Sequence, residues 1–299
     1  MYLASFTLPN ARTEELIMGR KAAENGGAFP YLDNPYPCFL FPNRGLSTLT
    51  FAPLTVLYGG NGSGKSTLLN IMAEKLGLER TAPYNSGEMF PLYLENTAYE
   101  LAADDYGEPC GIPVGSRIIT SDDIFGYMLG ARDINNEIAA GRESLREEYR
   151  THRDGRHNVH FTGLDDYERL HEQNEARRLS RHQYEQTVLG RQAALGSNGE
   201  TAIAFFKKKL EDDRLYLLDE PENSMSPAMQ KELCALIEQS VRYLGDQFVI
   251  ATHSPFLLAL PGARIYNLDA DPVTTCNWWE LPNVRAYYDF FRENENLFR

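Results

Sequence analysis

Cysteine is scarce: Cys38, Cys110, Cys234 and Cys276 stand far apart, and no CxxC pair occurs. That spacing suggests neither a disulfide framework nor a cysteine-based zinc site. Long apolar runs are also missing. The longest, within Pro53–Tyr58 and Phe256–Pro261, fall far short of the ~20 residues a membrane-spanning helix needs. The first residues, from Met1 to Pro9, have no basic start and no cleavage site, so they read as a strand rather than a secretion signal. Positive charge is in the minority, with 29 basic residues against 42 acidic and a net charge of −13. A chain coating nucleic acid with its whole surface is thereby disfavoured. Together these absences predict a soluble, cytoplasmic protein without membrane insertion.

What is present is core-forming material. The 299 residues are 42% hydrophobic and include 17 Tyr and 15 Phe, which excludes global disorder and suffices for one large α/β domain or two small ones. Strands are expected at Tyr2–Leu8, Cys38–Phe41, Ser47–Phe51, Leu54–Tyr58, Arg117–Thr120, Leu215–Leu218, Phe248–Ala251 and Ala263–Leu268. A helix with Leu68, Leu69, Met72 and Leu76 on one face follows the fourth. Ser226 and Pro227 suit the cap and first position of another, with Met229, Leu233, Leu236, Ile237 and Leu244 inward. A last helix is expected over about 284–293. Residues 80–115, rich in Pro, Gly and Tyr, give no clear pattern.

The middle of the chain differs in kind. Residues 131–191 hold 11 Arg, no Lys and 12 Asp or Glu. The Ser121-Asp122-Asp123 run offers an N-cap and an acidic first turn. Two long helices are expected from there, roughly 122–151 and 165–190, without the sustained heptads of a coiled coil. Arg150, Arg153 and Arg156, or Arg177, Arg178 and Arg181, have the charge to bind phosphate backbones. The interspersed carboxylates suit a solvated face or a protein partner better. His152, His157 and His160 share one expected turn but lack the cysteines or clustered carboxylates of a zinc site.

Four motifs carry chemistry. Gly59-Gly60-Asn61-Gly62-Ser63-Gly64-Lys65-Ser66-Thr67 lies between an expected strand and an expected helix, the context a phosphate loop requires. Its glycines let backbone N–H groups turn around phosphates, and the helix adds its positive end. Lys65 suits the β- and γ-phosphate oxygens, and the Ser66 hydroxyl suits Mg²⁺. Next, Leu215–Leu218 ends in Asp219-Glu220-Pro221. Two carboxylates at the tip of a buried strand suit a metal contact at Asp219 and a general base at Glu220. Third, Phe248–Ala251 runs into Thr252-His253-Ser254-Pro255, 34 residues after Asp219. A histidine there can hydrogen-bond a γ-phosphate and the attacking water. Fourth, Gly196-Ser197-Asn198-Gly199-Glu200 opens an expected helix, its Ser197 22 residues before Asp219.

In this order, phosphate loop, Ser-x-Gly-Glu, Asp-Glu and His resemble the ATP-binding cassette (ABC) ATPases. The match covers roughly 38–77, 194–260 and, weakly, 261–270. Within them the chain looks like the non-transporter branch of SMC-, RecF- and OLD-type ATPases, often grouped as AAA-family, through Tyr58–Thr67, Leu218–Ser224 and Ala251–Pro255. The resemblance implies an α/β P-loop NTPase with an ABC-type core, Mg-dependent ATP hydrolysis, and an ATP-sandwiched homodimer acting on a protein or DNA partner in defence or DNA maintenance. In that dimer Ser197 and Gly199 would cap the γ-phosphate of ATP held by a second copy, and Pro221–Ser226 would join the two sites. The expected organisation is a core over 1–120, an inserted helical lobe over 121–193, the second part of the core over 194–270 and a C-terminal strand and helix over 271–299. A transporter's nucleotide-binding subunit is the alternative.

The sequence departs from the family pattern in several places. Gly196, Asn198 and Glu200 replace the usual Leu, first Gly and Gln of the signature, and Ser226 replaces the Asp that ends the joining loop. No Gln follows Arg117–Thr120, since the first in the chain is Gln173. Ser121, Asp122 or Asp123 would have to replace it, and Tyr36, Phe39, Phe41 and Phe51 all remain open as adenine-stacking residues.

Overall fold

The computed structural model describes residues 1–24, 35–104, 106–130 and 198–298. The chain divides into two compact units, one of Met1–Phe125 with Ala202–Arg299 and the other of Gly126–Thr201. Of the second unit only 126–130 and 198–201 are described, and both stretches are helical. The expected helix over 165–190 and most of that over 122–151 lie outside the described residues.

The first unit is built on a six-stranded sheet of β3 (Leu54–Tyr58), β5 (Arg117–Thr120), β6 (Leu215–Asp219), β7 (Gln247–Ala251), β8 (Arg264–Asn267) and β9 (Thr274–Cys276). Its order is β5-β6-β7-β3-β8-β9, parallel throughout except for β9 at the edge. Every residue of β3 and β7 is buried, as befits strands covered on both faces. Alternate side chains point opposite ways. Leu57, Leu215, Leu217, Val249 and Ala251 join a core with Leu68, Leu69 and Met72 of α2 (Lys65–Leu76). Val56 and Tyr58 pack instead with Leu258, Ile265, Leu281 and Val284. Asp219 continues the alternation of Leu215 and Leu217 and therefore belongs to the face that α2 covers.

A second sheet, β1 (Leu3–Thr7), β2 (Thr48–Thr50) and β4 (Ala98–Leu101), is antiparallel with β1 in the centre. Gln247, at the start of β7 and fully buried, ties it to the larger sheet. Its Oε1 accepts from the N–H groups of Tyr2 (2.8 Å) and Leu3 (2.9 Å), and its Nε2 donates to the carbonyls of Leu3 (2.8 Å) and Ala52 (3.2 Å).

Most expected elements are present, with differences of physical origin. Cys38–Phe41 is a run of turns, not a strand. Phe39 lies at φ +68°, its N–H donates to the buried Glu14 carboxylate of α1 (Ala11–Glu24), and Pro42 opens a short 3-10 helix. The uninterpreted stretch 80–115 contains α3 (Phe90–Glu95) and β4. The helix after β5 is capped one residue earlier than expected. Thr120 and Asp123 bond reciprocally, Asp123 Oδ2 accepting from the Thr120 N–H (2.8 Å) and hydroxyl (2.9 Å). Helix α4 spans Asn198–Lys209. In α5 (Pro227–Tyr243) Ser226 is the cap, as expected. Its buried face holds Leu233, Ile237 and Ser240, while Leu244 is exposed. Ser240 is there because its hydroxyl donates to buried Asp246. The short α6 is Pro255–Leu258, and the last helix, α7, begins at Pro282 and runs to Glu293.

Gln247→Leu removes an amide that satisfies four backbone groups, each costing ~1–3 kcal/mol if left buried and unpaired. The expected loss is about 3 kcal/mol, read as a melting temperature lower by roughly 5–10 °C. A shift below about 1 °C would show that the two sheets do not depend on this tie.

Candidate functional site

The site forms where parallel strands end. β3 runs straight into the phosphate loop, and a cavity of about 280 Å³ is lined by Asn61, Gly62, Ser63, Gly64, Lys65, Ser66, Thr67 and Glu220. Gly64 has φ +95°, and a Cβ there would lie 2.9 Å from the Phe41 ring. Gly59 leaves no room for a Cβ either, with Ser63 Oγ 2.5 Å from its position. Only glycine meets both demands, of conformation and of close approach.

Lys65 opens α2 and is 5% exposed. Its Nζ donates to the carbonyls of Gly59 (2.7 Å) and Gly60 (3.3 Å) and lies 2.8 Å from His253 Nε2. For that contact to be a hydrogen bond the ammonium donates, so Nε2 accepts and the imidazole is neutral with its proton on Nδ1. Burial lowers the lysine's pKa, opposed chiefly by the charges of Glu220 and Asp219. Glu220 Oε1 is 3.6 Å from His253 Nε2, and its Oε2 accepts from Asn223 Nδ2 (3.1 Å). Glu220 itself sits at φ +47°, bent sharply off the strand that holds Asp219 straight.

Among the described residues, Asp219 is the carboxyl with the largest shift. Burial pushes it up to about 6, with the Glu220 charge adding and the nearby Ser66 hydroxyl opposing. Its Oδ1 is buried without a hydrogen-bond partner. An orphaned carboxylate oxygen near a serine hydroxyl fits an oxygen-binding cation such as Mg²⁺. Among the described residues no group of three or more His, Cys, Asp or Glu is arranged to hold a metal, so a cation here would need ligands from a bound phosphate or water as well.

The structure brings Lys65, Ser66, Asp219, Glu220 and His253 to one edge of the sheet. Gly199 is the second residue of α4 and belongs to the other unit, and Ser197 lies outside the described residues. Of Ser121–Asp123, Asp122 is exposed and Asp123 caps its own helix through Oδ2, its Oδ1 having no hydrogen-bond partner. Among the aromatic candidates, Phe41 and Phe51 are buried in the core. Tyr36 stacks on Phe90 and donates to Thr67 Oγ1 (3.3 Å), and Phe39 remains exposed.

Several participants carried no recognisable signal in the sequence. Asp269, after β8, accepts from the Gly60 N–H (2.6 Å). Arg44 braces the phosphate loop by donating to the carbonyls of Ser63 (3.3 Å) and Leu268 (2.8 Å). Glu222 and Asn283 hold the backbone around His253. Each acts across a long sequence separation, where periodicity and spacing have nothing to report.

Residues 124–259 match the family described as "AAA domain, putative AbiEii toxin, Type IV TA system". No curated protein matches the chain in sequence. Among solved structures, it is similar to the SMC head domain from Thermotoga maritima, at 13% identity and TM-score 0.40, covering 92% of this chain and 99% of that one. It is also similar to the Smc head domain of Pyrococcus furiosus bound to the C-terminal domain of ScpA, at 15% and 0.36, covering 83% and 95%. A third is the ATP-binding cassette MJ0796 with ADP and Pi, at 15% and 0.33, covering 77% and 90%. Among the described residues no helix is long and apolar enough to cross a membrane.

The raised Asp219 gives a signed pH dependence. Its carboxyl keeps its proton in the folded chain to about pH 6 but loses it near 3.8 when unfolded. Stability therefore falls as pH rises between those values. At ~1.4 kcal/mol per pKa unit the effect is about 3 kcal/mol at most. Without nucleotide or metal, Asp219→Asn should melt higher than the wild type at pH 7.5, with the advantage gone below about pH 4. Equal melting temperatures at pH 7.5 would contradict the crowding of this carboxylate.

Proposed function

We propose that this chain is an ABC-type, SMC-like AAA ATPase that hydrolyses ATP with Mg²⁺ and uses the cycle as a switch on a protein partner. The observation that supports this best is the meeting of Lys65, Asp219, Glu220 and His253 beside one loop-lined cavity. Phosphates entering the loop would take the place of the Gly59 and Gly60 carbonyls and His253 around the Lys65 ammonium. The loop amides other than those of Gly60 and Ser63, which already bond Asp269 and the Gly60 carbonyl, would share their charge. Ser66 and Asp219 would hold Mg²⁺, whose contribution is to neutralise charge on the phosphate oxygens. Glu220 would orient a water and accept its proton as the oxygen attacks the γ-phosphorus and the bond to the β-phosphate oxygen breaks. His253, freed from Lys65, would shift to the tautomer with its proton on Nε2 and donate it to the γ-phosphate.

The remaining features belong to the same proposal. The inserted helical lobe of 121–193 would interrupt the core and offer its charged face to the partner, a protein rather than nucleic acid. Ser197 and Gly199 would complete the ATP site of a second copy, closing a cytoplasmic head-to-tail homodimer. A partner in a defence or toxin-controlling pair accords with the description of the matched family.

Glu220→Gln should bind ATP, lose ~10²–10⁴-fold in turnover and accumulate a dimer on size-exclusion chromatography. Near-normal turnover with no ATP-dependent shift in elution would remove the assignment. The head-to-tail arrangement has its own test. Lys65→Ala and Ser197→Arg are each expected to be inactive. Mixed in equal amounts, about half the dimers carry one composite site with both defects and one with neither, so roughly a quarter of wild-type activity should return if the sites fire independently. Mixing that restores neither rate nor dimerisation, where subunit exchange occurs, would leave Ser197 without a role in trans.

A further inference from the structure

The loop after Glu220 carries a second carboxylate with a different task. Glu222 Oε1 accepts three hydrogen bonds, from the Thr252 hydroxyl (2.6 Å), the His253 N–H (2.9 Å) and the Ser254 N–H (3.1 Å). Its other oxygen, Oε2, is buried without a hydrogen-bond partner, so the carboxylate is fastened to the histidine loop through Oε1. The same two loops are joined again through Gln230. Its Oε1 accepts from the Ser254 hydroxyl (2.7 Å), and its Nε2 donates to the Met225 carbonyl (3.0 Å). From the other side, Asn283 Nδ2 donates to the His253 carbonyl (3.1 Å). The backbone of His253 is thus held at its N–H by Glu222 and at its carbonyl by α7, while its ring meets Lys65 and Glu220.

Glu222 is also set apart by its backbone surroundings. Glu220 at φ +47° and Ser224 at φ +65° flank it, neither of them glycine. Such conformations persist where the surroundings over-determine them, and they gather at functional sites. Between them Pro221 and Met225 are buried, while Asn223 and Ser224 are exposed. One short loop therefore has a surface open to contact and a carboxylate fastened to the histidine loop.

We infer that Glu222 is the positioning residue that sets His253 against the phosphates and makes that setting depend on the Pro221–Ser226 loop. This rests on the ATPase reading above. A carboxylate suits the role because hydrogen bonds to an ionised acceptor are shorter and roughly twice as strong as neutral ones. A flexible contact would not transmit the loop's position.

The test uses the full chain. Glu222→Ala should lower kcat for ATP on the order of 10²-fold, the scale of a small misplacement of a reacting group, with KM within about twofold. Glu222→Gln keeps an accepting oxygen but no charge and should fall between, at roughly tenfold. In the nucleotide-free chain, amide hydrogen exchange at Thr252–Ser254 should quicken on the order of tenfold in Glu222→Ala, leaving the amides of β7 unchanged. A kcat within twofold of wild type beside an inactive Glu220→Gln would overturn the inference while sparing the ATPase reading. A KM that worsens in step with kcat would also overturn it, because the whole site would then have been lost. Should the wild type not hydrolyse ATP, the proposed function fails and the exchange experiment decides the positioning role alone, unchanged exchange at Thr252–Ser254 overturning it.

Discussion

A buried ammonium at the head of α2 is the constraint on which the rest of the site depends. Burying an unpaired charge costs several kcal/mol, so Lys65 must be answered from every side. Two loop carbonyls and a neutral histidine nitrogen receive it, with the Asp219 and Glu220 carboxylates near enough to oppose the lowering of its pKa. Asp219 is itself buried, which drives its carboxyl up to about 6, with the Glu220 charge adding. Nucleotide phosphates with a cation would supply what this arrangement lacks: negative charge beside the lysine and positive charge beside the aspartate.

The strands make such crowding possible. A parallel sheet brings the C-terminal ends of β3, β6 and β7 to one edge, and each of these ends carries part of the site. The burial of those strands on both faces leaves their ends little freedom to spread. The loop conformations then follow from close contacts: Phe41 against Gly64, Arg44 beneath Ser63, Asp269 on the Gly60 amide. The distant ties matter as much. Gln247 brings the small sheet to the start of β7, and Asn283 brings the last helix to the loop at its end. One strand is therefore anchored at both ends by residues from opposite extremes of the chain.

Much of this is legible in the sequence. The phosphate loop, the Asp-Glu tip and the Thr-His-Ser-Pro turn each follow an apolar run, and apolar runs bounded by glycine, acid or proline mark buried strands. Failures came where a distant residue overruled a local pattern. Cys38–Phe41 has the composition of a strand, yet the Glu14 carboxylate takes the Phe39 N–H and the chain turns. Leu244 has the helical spacing of a core residue, but α5 buries Ser240 instead because Asp246 needs its hydroxyl. The capping of the helix after β5 by Thr120 and Asp123 rather than Ser121 is a shift of one residue that propensity does not resolve.

Local pattern alone marks which segments are buried strands, where a glycine-rich loop follows one, and which side chains stand at the strand ends. These properties are local: hydrophobic period, glycine spacing and capping chemistry act within a few residues. Folding sets β3 between β7 and β8, brings Lys65 to His253, and gives the histidine loop to Glu222 rather than Glu220. Those choices are hydrogen bonds and packing between distant segments, 31 residues apart for Glu222 and His253 and 188 for Lys65 and His253. Their energies depend on which groups the folded chain leaves without water, and no local pattern records that.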